Sequence, residues 1–403
     1  MQAAARGVED AGRRLKERSD KMEVRMLQRE EHGRTRELWE RVFAEDTKEF
    51  LDYYYTVKTL DNEMYVVEQE HQICSMIQLN PYEMRINDSE FLTHYIIAVA
   101  TEERFRKRGF MGALLQASLK KMYDRKEPFT FLMPAAESIY HPYDFRYIYR
   151  QRGGKVCGSK ERSVSHELRG NIYEMREASE KDCRKLAEFA EEILRQSYQV
   201  VAVRTEQYYR RMLAEQKSEY GGIGMIEKNG KLVGSFFFAK EETYEIREPL
   251  LKKGEEEALP QAVFWLTKGN EAIFCDGWNL DVHNIKKSVT EERDRPLIMA
   301  RLLYLPGFFE SLRPRTTFSF IVEVTDPILE ENNRRFLLES DGTKIAVSTA
   351  AKENDTDRQI SIAALTQILF GWAPYTEEKL PEVLQKDLNK IEPADGVFLN
   401  EIV

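Results

Sequence analysis

Val99-Ala-Thr-Glu-Glu-Arg-Phe-Arg-Lys-Arg-Gly-Phe-Met-Gly-Ala-Leu-Leu115 is the stretch on which the reading of the fold turns. The apolar run Tyr95-Ile-Ile-Ala-Val99 that leads into it reads as a strand. A dense basic turn follows at Arg104–Arg108. Beyond Gly109, Met111, Leu115, Leu119 and Met122 recur at helical spacing. Strand, Arg-x-x-Gly turn and helix together suit a pyrophosphate. The first amides of a helix have no partner within it, its dipole favours negative charge there, and glycine lets the backbone come close. On charge alone Arg104, Arg106, Lys107 and Arg108 read as a solvated cationic loop. Their place between strand and helix, with Gly109, turns the reading toward an anion cradle.

The chain has 403 residues, 42% hydrophobic and 32% charged, the composition of a soluble globular protein with room for two or three domains. A net charge of -9 argues against general affinity for nucleic acid or an anionic membrane. No apolar run approaches the roughly 20 residues that span a bilayer, and Arg6, Arg13 and Arg14 precede no apolar stretch of the secretory kind. Cys74, Cys157, Cys183 and Cys275 are scattered, without a CxxC pair or adjacent histidines. They read as reduced cytosolic thiols, with no disulfide framework and no metal site. The expected location is cytoplasmic.

Residues 1–21 read as a polar helical extension, with a fresh start at Met22 before a strand at Val24–Leu27. Helical segments near Glu30–Phe43 and Thr47–Tyr55 follow, Leu38 and Val42 sharing one face. Strands at Met64–Gln69, Gln72–Leu79 and Phe91–Val99 lead to the basic turn and a helix to about Tyr123. Phe129–Met133 is a further strand, ahead of the aromatic segment Ile139–Tyr149. This order indicates a central sheet with helices on its faces. Near Gly170 the pattern restarts. Met175-Arg-Glu-Ala-Ser-Glu-Lys-Asp182 echoes Val24-Arg-Met-Leu-Gln-Arg-Glu-Glu31, and a helix follows each. The second copy has helices near Cys183–Arg195 and Glu206–Ala214, and strands Ile223–Glu227 and Lys231–Ala239 around an Asn229-Gly230 hairpin turn. Its helix near Leu259–Thr267 lacks the basic lead-in, so the phosphate cradle is expected to be lost; Glu255-Glu-Glu257 reads as a solvated loop. From about Asp294 the character changes. A helical Leu297–Tyr304 precedes a strand over Thr317–Val324, where Phe318, Phe320, Val322 and Val324 alternate. Short strands at Arg334–Glu339 and Lys344–Ser348 and helices at Ser361–Phe370 and Pro381–Lys390 complete it. Most termini fray, but Phe398-Leu-Asn-Glu-Ile-Val403 is apolar enough to be tucked in.

Arg106-Lys-Arg-Gly109 resembles the acetyl-coenzyme A signature Arg/Gln-x-x-Gly-x-Gly of the GNAT acetyltransferase superfamily, with Met111 at the second glycine and Gly112 one place late. With the degenerate second copy, the C-terminal part and the terminal hexad, the chain from Met22 to Val403 resembles the Eis (enhanced intracellular survival) N-acetyltransferases. In that family a bulky residue often stands where Met111 does. The resemblance implies an α+β fold: tandem GNAT-like mixed-sheet domains, the second degenerate, followed by a sterol-carrier-like α/β domain. The expected boundaries are 1–21 for the extension, 22–168, 169–293 and 294–403. It implies acetyl-CoA as co-substrate, no metal, and transfer of an acetyl group to a primary amine of a small polycation or a peptide. Neither nucleic acid nor membrane is an expected partner. Members of the family often assemble, and whether this chain forms a homo-oligomer is left open by the sequence.

Acetyl transfer requires the amine to lose a proton, a donor for the oxyanion, and an acid for the departing thiolate. The resemblance implies that Val99, Ala100 and Thr101 offer backbone groups to the pantetheine arm. Backbone amides of Arg106, Lys107, Arg108, Gly109, Phe110, Met111 and Gly112 would hold the pyrophosphate, with Arg104 and Lys107 neutralising further charge. The family's general base is the C-terminal carboxylate, here that of Val403. An α-carboxyl titrates near ~3.5, so unless burial raises it, it acts through water or by holding the amine. The family's general acid is a tyrosine in Ile-Tyr-x-x-Phe-Gly-Tyr. Aligned without a gap, that position holds Phe145, which has no proton to donate. Tyr147, two residues on and roughly 6.6 Å along a strand, is the candidate replacement, with Tyr143 and Tyr140 behind it. Any single one of these rings otherwise reads as sheet packing. Glu137 and His141 are candidates to assist the amine, while His94 reads as packed beside its strand. Phe145 also motivates an alternative: a catalytically weakened protein whose sterol-carrier-like domain binds an apolar ligand or a partner.

Overall fold

A computed structural model of the chain describes residues 23–158, 173–240, 243–269, 271–275, 288–351, 356–372 and 379–401. The extension expected at 1–21 and the boundary near 168 lie outside them. Two units emerge, one drawn from Met1–Arg146 and Met299–Ala394, the other from Tyr147–Ile298 and Asp395–Ile402.

The first unit is built on strands β1 (Val24–Met26), β2 (Glu63–Gln69), β3 (Gln72–Ile86), β4 (Ser89–Thr101) and β5 (Phe129–Leu132), side by side in that order. Pairing is antiparallel through β4, and β4–β5 is parallel. Met299–Leu302 then adds antiparallel to β5. The helix Phe110–Asp124 buries Phe110, Ala113, Leu114, Leu115, Ser118, Leu119 and Met122. Met111, expected on that face, is only half-buried. His94 is buried, its Nδ1 2.8 Å from Glu127 Oε1. This pair ties β4 to the segment beyond the helix.

Leu297–Tyr304 is not helical. It ends the strand Val289–Leu302, in which every residue from Leu297 to Leu302 is buried. A strand covered on both faces shows no alternation, and its leucine-rich composition then imitates a helix. The remainder of this unit carries a four-stranded sheet, in the order Ile345–Thr349, Arg335–Asp341, Thr317–Thr325, Gln359–Ser361, with helices Ile362–Leu369 and Glu382–Leu388. Phe318, Phe320, Val322 and Val324 are all buried, so the alternating face is spent on core.

The second unit repeats the start of the first down to its side chains. Arg25 bonds Glu31 at 2.7 Å, and Arg176 bonds Asp182 at 2.6 Å, across the same spacing in the chain. Glu31 and Asp182 each accept the backbone amide three residues back, Gln28 N at 3.0 Å and Ser179 N at 2.9 Å, as capping boxes do. The correspondence extends to a bulge. β4 carries an extra residue against β3 with Ala98 at φ 51°, and Tyr244–Leu251 carries one against Lys231–Lys240 with Glu248 at φ 49°. Each bulge follows the stretch that pairs parallel with the next strand, Tyr95 with Phe131 and Glu245–Arg247 with Ile273–Cys275.

Candidate active site

The bulge at Ala98 ends the pairing of β4 with β5, which is registered at Tyr95 with Phe131. Ala100 and Thr101 stay paired to Met76 and Ser75 on β3. A 3-10 turn, Glu103–Phe105, follows, then Lys107 at φ 62° and Gly109 at φ 88°. Both lie in the left-handed region, where glycine alone sits without penalty. The first bond of the helix runs from Ala113 N to Gly109 O at 3.0 Å. The amides of Phe110, Met111 and Gly112 therefore precede the ladder and remain to be satisfied.

The four loop cations divide their work. Arg104 reaches Gln72 Oε1, Arg106 Nε bonds Thr101 O at 3.3 Å, and Arg108 Nη2 bonds Arg104 O at 3.1 Å. Arg104 and Arg108 also lie over the Phe105 ring, at 4.8 and 5.0 Å. These arginines brace the loop. Lys107 has no partner among the described residues and is exposed.

The aromatic segment forms two short turns, Glu137–Tyr140 and His141–Tyr143, closed by Asp144 at φ 63°. Phe145 is fully buried and packs edge-on to Tyr140 with centroids 6.0 Å apart. It is core. Tyr140 is itself buried, yet its hydroxyl bonds no described residue, and burial pushes its pKa up to about 12. Tyr143 lies over the loop helix: a Cβ on Gly112 would stand 2.8 Å from its hydroxyl. That contact explains a glycine one place late in the motif. Burial raises the Tyr143 phenol as well. Tyr147 is half-buried in the strand Arg146–Cys157, in the second unit. Glu137, Ser138, His141 and Pro142 line a recess of about 640 Å³.

A group invisible in the sequence fixes Tyr143. Arg301 is fully buried and donates from Nε to Tyr143 O at 3.0 Å, from Nη1 to Leu302 O at 3.1 Å and from Nη2 to Asp326 Oδ1 at 2.5 Å. Asp326 also accepts from Ile328 N and Leu329 N at 2.9 Å and from Asn332 Nδ2 at 3.0 Å. The one available signal was a lone arginine inside the apolar run Leu297–Leu303. A charge there requires a buried partner.

Residues 23–148 match the acetyltransferase (GNAT) domain family, and residues 305–402 match the sterol carrier protein domain family. The chain carries a GNAT acetyltransferase domain. Solved structures are similar over nearly its whole length. One is a probable N-acyltransferase from Enterococcus faecalis V583, at 17% identity over 93% of this chain and 94% of that one, TM-score 0.74. Another is a GCN5-related N-acetyltransferase from Kribbella flavida, at 14% identity over 92% of each chain, TM-score 0.70. Eis1 from Mycobacterium abscessus is similar at 15% identity over 92% of this chain and 93% of that one, TM-score 0.60. At these identities the likeness is one of fold, and it includes the second GNAT-like copy. No curated protein sequence matches the chain. Its reaction class is acyl transfer, and its architecture is Eis-like. Among the described residues no group of His, Cys, Asp or Glu is placed to hold a metal, and no helix is long and apolar enough to cross a membrane.

The GNAT loop has a recognisable but altered counterpart. Gly254 repeats the φ of Gly109, 88°, and the helix Ala258–Thr267 follows. The loop is acidic, and not merely solvated as its charge suggested. Glu256 is buried and accepts Gly254 N at 3.0 Å, while Glu255 takes Lys228 Nζ at 2.8 Å and the Tyr173 hydroxyl at 2.5 Å. Carboxylates here suit the helix dipole themselves and repel a phosphate.

Val403 lies outside the described residues, but Glu401, two positions earlier, is buried in the second unit. Arg204 bonds both Glu401 and Glu248, all three with side chains at most 1% exposed. Burial pushes the Glu248 carboxyl up to about 7, against the opposing pull of Arg204, and Glu401 adds to the rise. Asn400 and Tyr209 also face this group. In the unfolded chain Glu248 ionises near 4.5, whereas folded it keeps its proton to about 7. The folded state therefore binds more protons over that interval, and stability falls as pH rises through it. Glu248→Gln removes this dependence. Its Tm relative to the parent protein should move upward between pH 5 and pH 8 in thermal unfolding; a constant difference would refute the raised ionisation.

Proposed function

We propose that the chain is a cytosolic acetyl-CoA-dependent N-acetyltransferase that modifies a primary amine of a small polycation or a peptide. The observation that carries this reading is the cradle: three uncommitted amides at the start of a 15-residue helix, behind Gly109 at φ 88°, with Lys107 unspent beside them. Amides, positive helix end and cation all suit a pyrophosphate. The backbone of Val99–Thr101 suits the amide-bearing pantetheine arm, which the divergence of β4 and β5 would admit. Acetyl-CoA, when bound, supplies the activated acyl group. The chain's residues supply position and protons.

Tyr140 is the proposed acid in place of Phe145, ahead of Tyr147. Its ring is buried, its phenol is pushed up to about 12, and its hydroxyl bonds no described residue. Tyr143, over the first turn of the helix, belongs to the phosphate end and is proposed to hold the cofactor. The carboxylate of Val403 is proposed to draw the proton from the amine. Glu137, which has no partner among the described residues, is proposed to attract the cationic acceptor into its recess.

The test is release of free coenzyme A when acetyl-CoA is offered with a panel of polyamines, aminoglycosides and lysine-containing peptides. Turnover on at least one of them is expected; tight cofactor binding without turnover on any would sink the assignment. Tyr140→Phe should lower kcat about tenfold at unchanged KM for acetyl-CoA, a modest loss because a thiol titrating near ~8.5 leaves readily. Tyr143→Phe should instead raise that KM. The opposite pattern would exchange the two roles.

A further inference from the structure

A second recess, of about 300 Å³, lies in the first unit, away from the cradle. Tyr123 forms one wall. It stands near the far end of the helix Phe110–Asp124, about 20 Å from that helix's first residue. Tyr304 forms the next wall, and the two rings meet edge to face, with centroids 5.8 Å apart and planes at 69°. Tyr304 is set by its surroundings. Its amide donates to Glu127 O at 3.0 Å, and a Cβ on Gly307 would stand 3.2 Å from its ring. Pro306 and the buried Phe336 add apolar surface, and the edge strand Ile345–Thr349 closes the side.

The charges of this recess are unspent. Arg334 and Glu310 both line it, and neither side chain has a partner among the described residues. They do not pair with each other: their charged ends stand more than 4.0 Å apart, with the recess between them. Glu310 gains nothing from its own helix, Leu305–Glu310, whose C-terminal carbonyls disfavour a carboxylate. The neighbouring cation Lys120 is by contrast taken, by Asp124 and by Glu331 at 2.8 Å. The hydroxyls of Tyr123 and Tyr304 bond no described residue, and burial raises the Tyr123 phenol, so it stays a donor at neutral pH.

Two opposite charges facing one aromatic recess match a ligand that carries both signs close together. An α-amino acid does so. Its carboxylate suits the planar guanidinium fork, its ammonium suits the glutamate, and an apolar side chain suits the rings. A ligand with a single charge would leave the other group unpaired beside it. We propose that this recess binds a free α-amino acid with an aromatic or branched apolar side chain, its carboxylate held by Arg334, its ammonium by Glu310 and its side chain against Tyr123 and Tyr304. The site is separate from the cradle, and binding there does not depend on acyl transfer.

Calorimetric titration of the full chain with L-phenylalanine and with L-leucine, without acetyl-CoA, is the test. At least one should bind saturably with a Kd of about a millimolar or below, as a ligand of that size can reach. For the better binder, the methyl ester, which lacks the carboxylate, and the N-acetyl derivative, which lacks the ammonium, should each bind about tenfold or more weakly, because each strands one charge. Arg334→Gln and Glu310→Gln should each weaken the free amino acid by a similar factor at unchanged Tm, since both residues are exposed and unpaired. Discrimination should fail selectively: Arg334→Gln no longer separates the amino acid from its ester, and Glu310→Gln no longer separates it from the N-acetyl derivative. Absence of saturable binding by both amino acids would overturn the proposal. So would parental affinity in both variants, which would place the bound molecule elsewhere.

Discussion

Asp326→Ala is expected to destabilise the first unit by about 3–5 kcal/mol, the cost of leaving a buried charge without its partner. For a unit of this size that lowers Tm by roughly 6–20 °C. Arg301 has no exposed part from which to recover water, and its remaining acceptors, Tyr143 O and Leu302 O, carry no charge. The same substitution strands the amides of Ile328 and Leu329, which Asp326 accepts, and leaves Asn332 Nδ2 with Leu303 O at 2.9 Å. It should also act at a distance on catalysis. Arg301 holds the carbonyl of Tyr143, whose hydroxyl overlies Gly112, so losing its orientation frees that ring. A rise in KM for acetyl-CoA, measured well below the lowered Tm, should accompany the loss of stability. Differential scanning calorimetry provides the comparison with Asp341→Ala, which removes an exposed carboxylate bonded to Thr343 and Lys344 N and should lower Tm far less. Equal effects of the two substitutions would mean that Asp326 does not compensate a buried arginine.

Asp326 belongs to the part that matches a sterol carrier protein domain. Its apolar strand face is consumed by core, and its polar contribution is to brace the acetyltransferase part of the same unit. Lys120 on the loop helix bonds Glu331 at 2.8 Å, five residues beyond Asp326, and so strengthens that connection. Support of the acyl-transfer site, rather than carriage of an apolar ligand, is the role these contacts favour.

The two bulges show how a duplicated unit diverges. At Ala98 the bulge carries a small buried side chain. At Glu248 a carboxylate occupies the equivalent bulge, and an arginine and a residue of the chain's own tail close over it. Acidic residues at the following helix complete the change. The second copy has a buried ion-pair cluster at the bulge where the first has an alanine.

Local chemistry made much of this legible in the sequence. Gly109 announced the loop because φ 88° is a conformation only glycine adopts freely. Arg25-to-Glu31 and Arg176-to-Asp182 announced the repeat because a capping box is written in a handful of consecutive residues. What stayed hidden was non-local. Arg204 and Glu401 stand 197 positions apart, and Tyr143 and Arg301 stand 158 apart. No spacing rule connects them. Leu297–Leu302 misled for the complementary reason, since tertiary burial on both faces erased the alternation that marks a strand. Tyr147 was the first candidate in the expected segment, and the proposal of Tyr140 in its place rests on the burial of that ring, which no spacing rule shows.

Appending a few residues after Val403 is expected to reduce turnover to about a hundredth or less, the scale of removing a general base, with acetyl-CoA affinity unchanged. One added residue turns the Val403 carboxylate into a neutral amide and moves the free carboxylate about 3.5 Å onward. A loose tail would absorb that shift by sliding back. As far as Glu401 this tail is fixed: strand pairing at Val397–Phe398 sets its register, and Arg204 holds Glu401. The cradle at Lys107–Gly112 lies elsewhere in the chain, so calorimetric titration with coenzyme A should give the parental Kd. Deleting Val403 should be as damaging as the extension, for it withdraws the carboxylate by the same distance. Val403→Ala should be tolerated, because it trims the side chain and leaves the carboxylate where it was. An extended chain that retains full activity would remove the terminal carboxylate from the mechanism and leave proton abstraction to a side chain or to solvent. Activity lost on extension yet kept on deletion would point to steric blockage, and would likewise count against the carboxylate as base.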